Sequence, residues 1–284
     1  MALQVNYSAT AAELSKLLLR GQHLAMKKLN QKSRSEPIDN LIQRNFLFKN
    51  LDSALIAKHL DPQQLTIEKL YSSRPIYTAF RTDAALEHLY VVIDGGPIVV
   101  RSTPLDRIIA ITYSNSCFGM QNLALSYGNF SRAFPSLVEA YKTTDIVKIP
   151  LETIRLIHQE SAVFRQRYGL MFELQEKFQY HLLNCSTYPP QAVAALLRAL
   201  IYQERELGNQ PQEDAFVFDL PVEVIAKACQ LNHRTVEQVL KGLAKVGMLK
   251  PHKTQSDLVT VINPEELKVV YGATRDKVAW WPLK

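Results

Sequence analysis

Four polar side chains, Asn232, His233, Arg234 and Gln238, cluster at the start of a run in which Val236, Val239, Leu240 and Leu243 repeat at helical spacing. The chemistry open to them is recognition. An arginine can donate two hydrogen bonds to a guanine edge and a glutamine can pair twice with adenine, each good pair discriminating by roughly 1 to 3 kcal/mol. Thr235 adds a hydroxyl among them, and Lys241 and Lys245 farther along are charges suited to phosphates, which position a protein on DNA and make its affinity depend on salt. Between Pro221 and Lys253, six Lys or Arg face two acids, so this stretch carries four of the chain's six net positive charges. That concentration says more about a polyanionic partner than the net charge does.

Such side chains need a rigid helix, and the flanking sequence supplies one. Asn232 is a good N-cap for a helix over Thr235 to Lys245. Pro221 to Ala228 predicts a preceding helix with Val222, Ile225 and Ala226 inward, and Cys229, Gln230 and Leu231 form the turn between them. Phe216 to Leu220 is a short β-prone run ahead of it. Gly247 stops the second helix, Met248 and Leu249 start a strand, and Leu258 to Ile262 returns, leaving HKTQSD as a wing tip where Lys250, His252 and Lys253 can meet the DNA backbone. Leu220 to Ile262 therefore reads as a winged helix-turn-helix. The plainer alternative is a small helical unit with a solvated charged face.

Elsewhere the chain alternates helical and β-rich stretches. Thr10 with Glu13 is a capping box for a helix over Ala11 to Leu29, and Ile38 to Leu60 predicts a second helix after the polar stretch Gln31 to Pro37. From Leu65 to Ile149 short β-prone runs take over, at Leu89 to Ile93, Pro97 to Arg101, Arg107 to Tyr113 and Ile146 to Ile149, with Asp94-Gly95-Gly96 as a turn. That spacing predicts an antiparallel roll or barrel. Leu151 to Asn184 then reads as helical, and Phe164, Tyr168, Met171, Gln175, Phe178 and Leu182 alternate in steps of four and three, as a dimerising seam or as an ordinary core face. Pro189-Pro190 ends the segment and Gln191 to Leu207 restarts a helix. The expected fold is α+β: a helical extension over 1–60, an antiparallel β-roll over 61–160, a long helix over 161–188 and a winged helix-turn-helix over 189–284.

Composition narrows the function. With 47% hydrophobic and 21% charged residues the chain is a globular one. No apolar run nears the ~20 residues that span a bilayer and the first residues lack a signal-peptide pattern, so a cytoplasmic protein without membrane contact is expected. Cys117, Cys185 and Cys229 are too scattered for a disulfide framework or metal site and read as reduced structural residues. Serine-hydrolase, Walker and zinc-protease motifs are all missing, so no enzyme and no cofactor is expected.

The order of these elements resembles the CRP/FNR superfamily of bacterial transcription regulators over about Leu65 to Leu267. The residues that carry the likeness are LYVVIDGGPIVV and Cys117-Phe118-Gly119 in the roll, and DLPVEVIAKACQLNHRTVEQVLKGLAKVGMLK at the end. Most specific is the spacing of Thr235-Val236 and Leu240-Lys241. The resemblance implies a homodimer on a near-palindromic double-stranded DNA operator, activating or repressing by contact with RNA polymerase or occlusion of it, with the seam from Phe164 to Leu182 as the dimer contact. The family's common base-reading Arg, Glu and Arg fall on His233, Arg234 and Gln238, and none is kept, so a different operator is expected.

The ligand cassette departs further. Met120 stands where cyclic-nucleotide binders have the ribose-holding Glu, and the loop after it, QNLALSYGNFSRAFPS, is longer than usual. Gly119 and Arg132 are the only effector-site candidates the resemblance leaves, and cyclic-nucleotide binding is not expected. Iron–sulfur relatives need cysteines ahead of the roll, and none precedes Cys117. A contrasting reading is a small-molecule sensor or protein-contact adaptor whose helix-turn-helix is vestigial.

Overall fold

In the computed structural model of the protein, the described residues are 39, 41, 43–61, 65–72, 75–79, 87–102, 106–120, 136–183, 187–209, 215–251, 257–272, 278 and 280–282. The expected helix over Ala11 to Leu29, Arg132, Cys185 and the wing tip with His252 and Lys253 lie outside them.

The β-rich stretch is a roll of two antiparallel four-stranded sheets. Their strands are β1 (Thr66–Leu70), β2 (Pro75–Ala79), β3 (His88–Asp94), β4 (Ile98–Ser102), β5 (Arg107–Thr112), β6 (Cys117–Phe118), β7 (Ser136–Ala140) and β8 (Thr144–Pro150). One sheet has the order β1-β8-β3-β6 and the other β2-β7-β4-β5. The run LYVVI is apolar without alternation because both faces of β3 are covered. Tyr90 and Val92 point into the roll with Leu70, Ile98, Phe118, Val138 and Ile146, while Leu89 and Val91 face a second cluster on the outside. The β3–β4 turn needs glycine: Gly95 has φ +87°, and a Cβ there would sit 2.4 Å from the Thr143 carbonyl oxygen.

That outer cluster is built from helices. After β8 come α2 (Leu151–Glu160) and α3 (Ala162–Leu183), in place of the single helical run expected from Leu151 to Asn184. The break is at Ser161, whose backbone is extended and whose Oγ accepts a hydrogen bond from the Phe164 N–H at 3.1 Å. Ser161 thus caps α3 in the manner that makes serine a helix starter.

The helix expected over Ile38 to Leu60 is also interrupted. Asn45 turns the chain by accepting from the Leu47 N–H through Oδ1 and donating from Nδ2 to the Asn115 carbonyl, and helix α1 (Ser53–His59) starts afresh on the Asp52 side-chain cap. Leu41, Leu47, Phe48, Ile56 and Leu60 are buried with Leu89, Ile154 and Phe164, so this stretch belongs to the roll's outer core.

Beyond α3 the chain forms α4 (Pro189–Glu206), β9 (Phe216–Asp219), α5 (Val222–Cys229), α6 (His233–Lys245), β10 (Leu258–Val261) and α7 (Leu267–Gly272). Pro189 and Pro190 fill the first turn of α4, where no backbone donor is lost to the helix. Apolar residues of α4, α5, α6, β9, β10 and α7 share one core, which Ile108 and Ile111 of the roll and Phe178 and Leu182 of α3 extend. No helix among the described residues is long and apolar enough to cross a membrane.

Candidate nucleic-acid interface

Helix α6 is held by one face and open on the other. Val236, Val239 and Leu243 are fully buried against α4 and α5, with Leu240 beside them. The connection from α5 turns at Gln230, which takes the left-handed conformation with φ 54°, and the Leu231 N–H bonds back to the Ala226 carbonyl. Asn232 then caps α6 as its sequence predicts, Oδ1 accepting from the Thr235 N–H at 2.8 Å.

On the open side Asn232, His233, Arg234, Lys241 and Lys245 are exposed or half-buried, as are Thr235 and Gln238. Arg234, Gln238, Lys241 and Lys245 recur in steps of four, three and four, so they form one stripe along the helix. Reading outward from the N-terminus, groups that can address base edges come first and groups that can address phosphates last. Glu237 shares this open side and can accept a hydrogen bond from cytosine N4, a capacity hidden in a sequence where it counts only as one of the two acids opposing the basic excess.

The wing is closed differently from the sequence expectation. Leu258–Val261 pairs along its length with Phe216–Asp219, the short run ahead of α5. Met248 and Leu249 contribute a single bridge, Leu249 to Val261, with the Lys250 N–H bonding the Thr260 carbonyl. The strand leaving α6 is too short to hold a hairpin alone, so β9 supplies the ladder.

The two adjacent tryptophans buttress the same helix. A Cβ added to Gly242 of α6 would lie 2.4 Å from ring carbons of Trp280, so the indole sits directly on the helix backbone. Trp281 meets Trp280 edge-on at 6.2 Å, and the Val278 N–H donates to Tyr188 Oη at the start of α4. Glycine inside a helix costs about 1 kcal/mol relative to alanine, and here it provides the room for the indole.

The unit is also fastened to the roll. Lys142, in the β7–β8 turn, reaches Asp219 at 2.6 Å and Asp257 at 2.9 Å, and thereby ties β9 to the residue just ahead of β10. Beside it the Tyr141 hydroxyl donates to Glu223 at 3.0 Å. Glu223 also accepts from Lys227 at 2.7 Å, and these two donors, Lys227 foremost, hold its carboxyl below the usual range against the opposing effect of burial.

No family model and no curated protein matches this sequence. Solved structures do. The chain is similar to FixK2 from Bradyrhizobium japonicum, with 15% identity over 72% of this chain and 96% of that one and a TM-score of 0.53. A mutant form of CooA from Carboxydothermus hydrogenoformans aligns with 13% identity over 78% and 92% at a TM-score of 0.52. A cyclic nucleotide-binding domain containing protein from Listeria monocytogenes EGD-e aligns with 12% identity over 76% and 98%, also at 0.52. The fold is the CRP/FNR fold.

Within this CRP/FNR fold the seam on α3 does not face outward. Phe164, Tyr168, Met171, Phe178 and Leu182 are each at most 3% exposed, and they pack on the chain's own roll and on α4. The Tyr168 hydroxyl donates to the Met120 carbonyl at 2.7 Å and Gln175 Nε2 donates to that of Cys117 at 2.9 Å. These residues seat the helix on its own domain, and cannot at the same time be the surface a second copy meets. The periodicity is real, but its partner is intramolecular.

The effector candidates separate as well. Gly119 follows β6 with φ +90°. Met120 is fully buried among Cys117, Leu89 and Tyr168, an apolar setting in which a carboxylate could not stay charged without a partner. Inside the roll Tyr90 and Phe118 stack at 4.8 Å and 3°, so aromatic side chains occupy part of the space between the sheets.

Proposed function

We propose that the protein is a sequence-specific transcription regulator of the CRP/FNR type that binds double-stranded DNA as a homodimer on a near-palindromic operator. The observation that carries this reading is the stripe on α6: base-reading types at its first turns, lysines behind them, all on the side opposite the buried face. A helix so placed enters the major groove by its N-terminal end. Asn232, His233, Arg234, Thr235, Gln238 and Glu237 are the base-reading set, and Lys241, Lys245 and the wing-tip Lys253 are the phosphate set.

For the dimer contact the outward face of α3 replaces the buried seam. Val163 is 49% exposed and Tyr180 71% exposed, Leu170 lies between them in sequence, and Gly169 has open space beyond its Cα. An interface needs such apolar anchors, which a lone protomer leaves in water. With Met120 in an apolar cluster, no cyclic nucleotide is assigned to the roll, and RNA polymerase is the expected downstream partner.

Selection of bound fragments from random DNA, followed by titration of the winning site at several salt concentrations, tests the proposal. An enriched, inverted-repeat motif bound by two chains is expected. Equal binding of all fragments at moderate salt, or none, refutes it.

A further inference from the structure

A small cavity of about 30 Å³ lies where the roll meets α3 and α4. Thr112, Tyr113 and Ser116 close it from the end of β5 and the turn that follows, Phe178 from α3, and Gln203 and Glu204 from the last turn of α4. It belongs neither to the apolar centre of the roll nor to the stripe on α6. Such a space holds one or two groups the size of water and no larger organic molecule.

Its surroundings are negative. The Tyr113 hydroxyl is buried with no hydrogen-bond partner among the described residues, an arrangement that costs stability unless something fills the gap. Burial first, and then the charges of Asp219 and Glu204, push that hydroxyl above its usual pKa, so it keeps its proton and still has oxygen lone pairs to offer. Glu204 is half-buried, and its Oε2 accepts a hydrogen bond from Asn209 Nδ2 at 2.7 Å. Burial holds its carboxyl above the usual range against the effect of that bond. Helix α4 ends at Glu206, so the cavity also sits at the negative end of the helix dipole. No Lys, Arg or His is among its described lining residues.

A carboxylate taken out of water without a counter-charge is costly, and a bound cation removes that cost. We propose that the cavity binds one monovalent cation of about a water molecule's size, potassium or ammonium, held by the Tyr113 oxygen and the Glu204 carboxylate. One carboxylate balances one positive charge, and uncharged oxygens can replace the rest of the ion's hydration shell. Among the described residues no three His, Cys, Asp or Glu side chains gather around a common point, which selects against a divalent metal. The ion joins β5 to α4, and α4 packs in turn on α3, α5, α6 and α7. Occupancy therefore braces the unit that carries α6 against the roll. Binding of the ion does not depend on the function proposed above.

Thermal melting of the full chain without DNA, in potassium, ammonium and choline chloride at equal ionic strength, tests the site. Potassium or ammonium should raise the melting temperature saturably, by about 2 to 4 °C over choline. Glu204→Gln, which keeps an oxygen for Asn209, should abolish that difference, and Tyr113→Phe should weaken the ion at least fivefold. In crystals of the full chain grown with rubidium chloride as a stand-in for potassium, an anomalous-scattering peak is expected between Tyr113 Oη and the Glu204 carboxylate. Equal melting in all three salts, a difference of the same size in Glu204→Gln, or water without a rubidium signal at that place overturns the proposal. Failure of DNA selection leaves a positive result standing.

Discussion

Helices α3 and α6 both show regular patterning, yet the structure uses the two patterns in opposite ways. On α3 the regular feature is an apolar seam, and the chain's own roll consumes it. On α6 the regular feature is a polar stripe that stays at the surface among the described residues. Periodicity thus tells which side of a helix is buried and leaves open what buries it. A second copy, a neighbouring sheet and a neighbouring helix all ask for the same spacing of apolar side chains.

The sharpest way to break the comparison is at the seam. Phe164→Ala should cost about 3 to 5 kcal/mol of folding stability, as truncation of a fully buried aromatic does, measured by denaturant unfolding. Sedimentation of the variant under native conditions should show unchanged self-association, whereas a true dimer seam would lose it.

Gly242→Ala probes the support behind α6. The new methyl meets Trp280, so a loss of about 1 to 3 kcal/mol and weaker DNA binding are expected, with Trp280→Ala in the same chain restoring part of the stability. On the open stripe, Arg234→Ala should lose roughly 1 to 3 kcal/mol of discrimination at one base position with no change in melting temperature. Lys241→Ala should weaken all sequences alike and reduce the salt slope by about 1, read from affinities at a series of salt concentrations.

The smallest effect is a pH dependence on the α2–α3 side. Burial first, and then Arg165, lower the His158 pKa, and its ring packs edge-on to Tyr168 at 5.6 Å. The folded state therefore prefers the neutral ring. Its contribution is complete above the unfolded value of about 6.5 and is lost as pH falls through the lower folded value. His158→Gln should flatten the fall in melting temperature over that window, partly, because His181 shifts in the same direction.

Much of the fold was legible in the sequence because local signals and tertiary demands agree. Asn232 caps α6, Pro189 opens α4 and the Gly95-Gly96 turn joins two β-prone runs, each as its residue type predicts. Strands β1, β2, β6 and β7 were less visible. TIEKL and SLVEA carry charged residues at positions that the sheet leaves partly exposed, and CF is two residues long. The breaks at Ser161 and Asn45 rest on side-chain bonds to nearby backbone that helical periodicity runs straight through. Within the site, the polar stripe was readable from spacing alone. The role of Trp280 was not, since its contact with Gly242 joins residues far apart in the chain.

Along α6 the residues that hold the helix and the residues that face outward scarcely overlap. Asn232 apart, whose side chain also caps the helix, the positions of the open stripe lie outside the buried core. Substitutions there can accumulate with little loss of stability, so on the function proposed above preference for one operator can drift toward another while the scaffold stays fixed. In evolutionary terms the stripe is a free variable mounted on a fixed part.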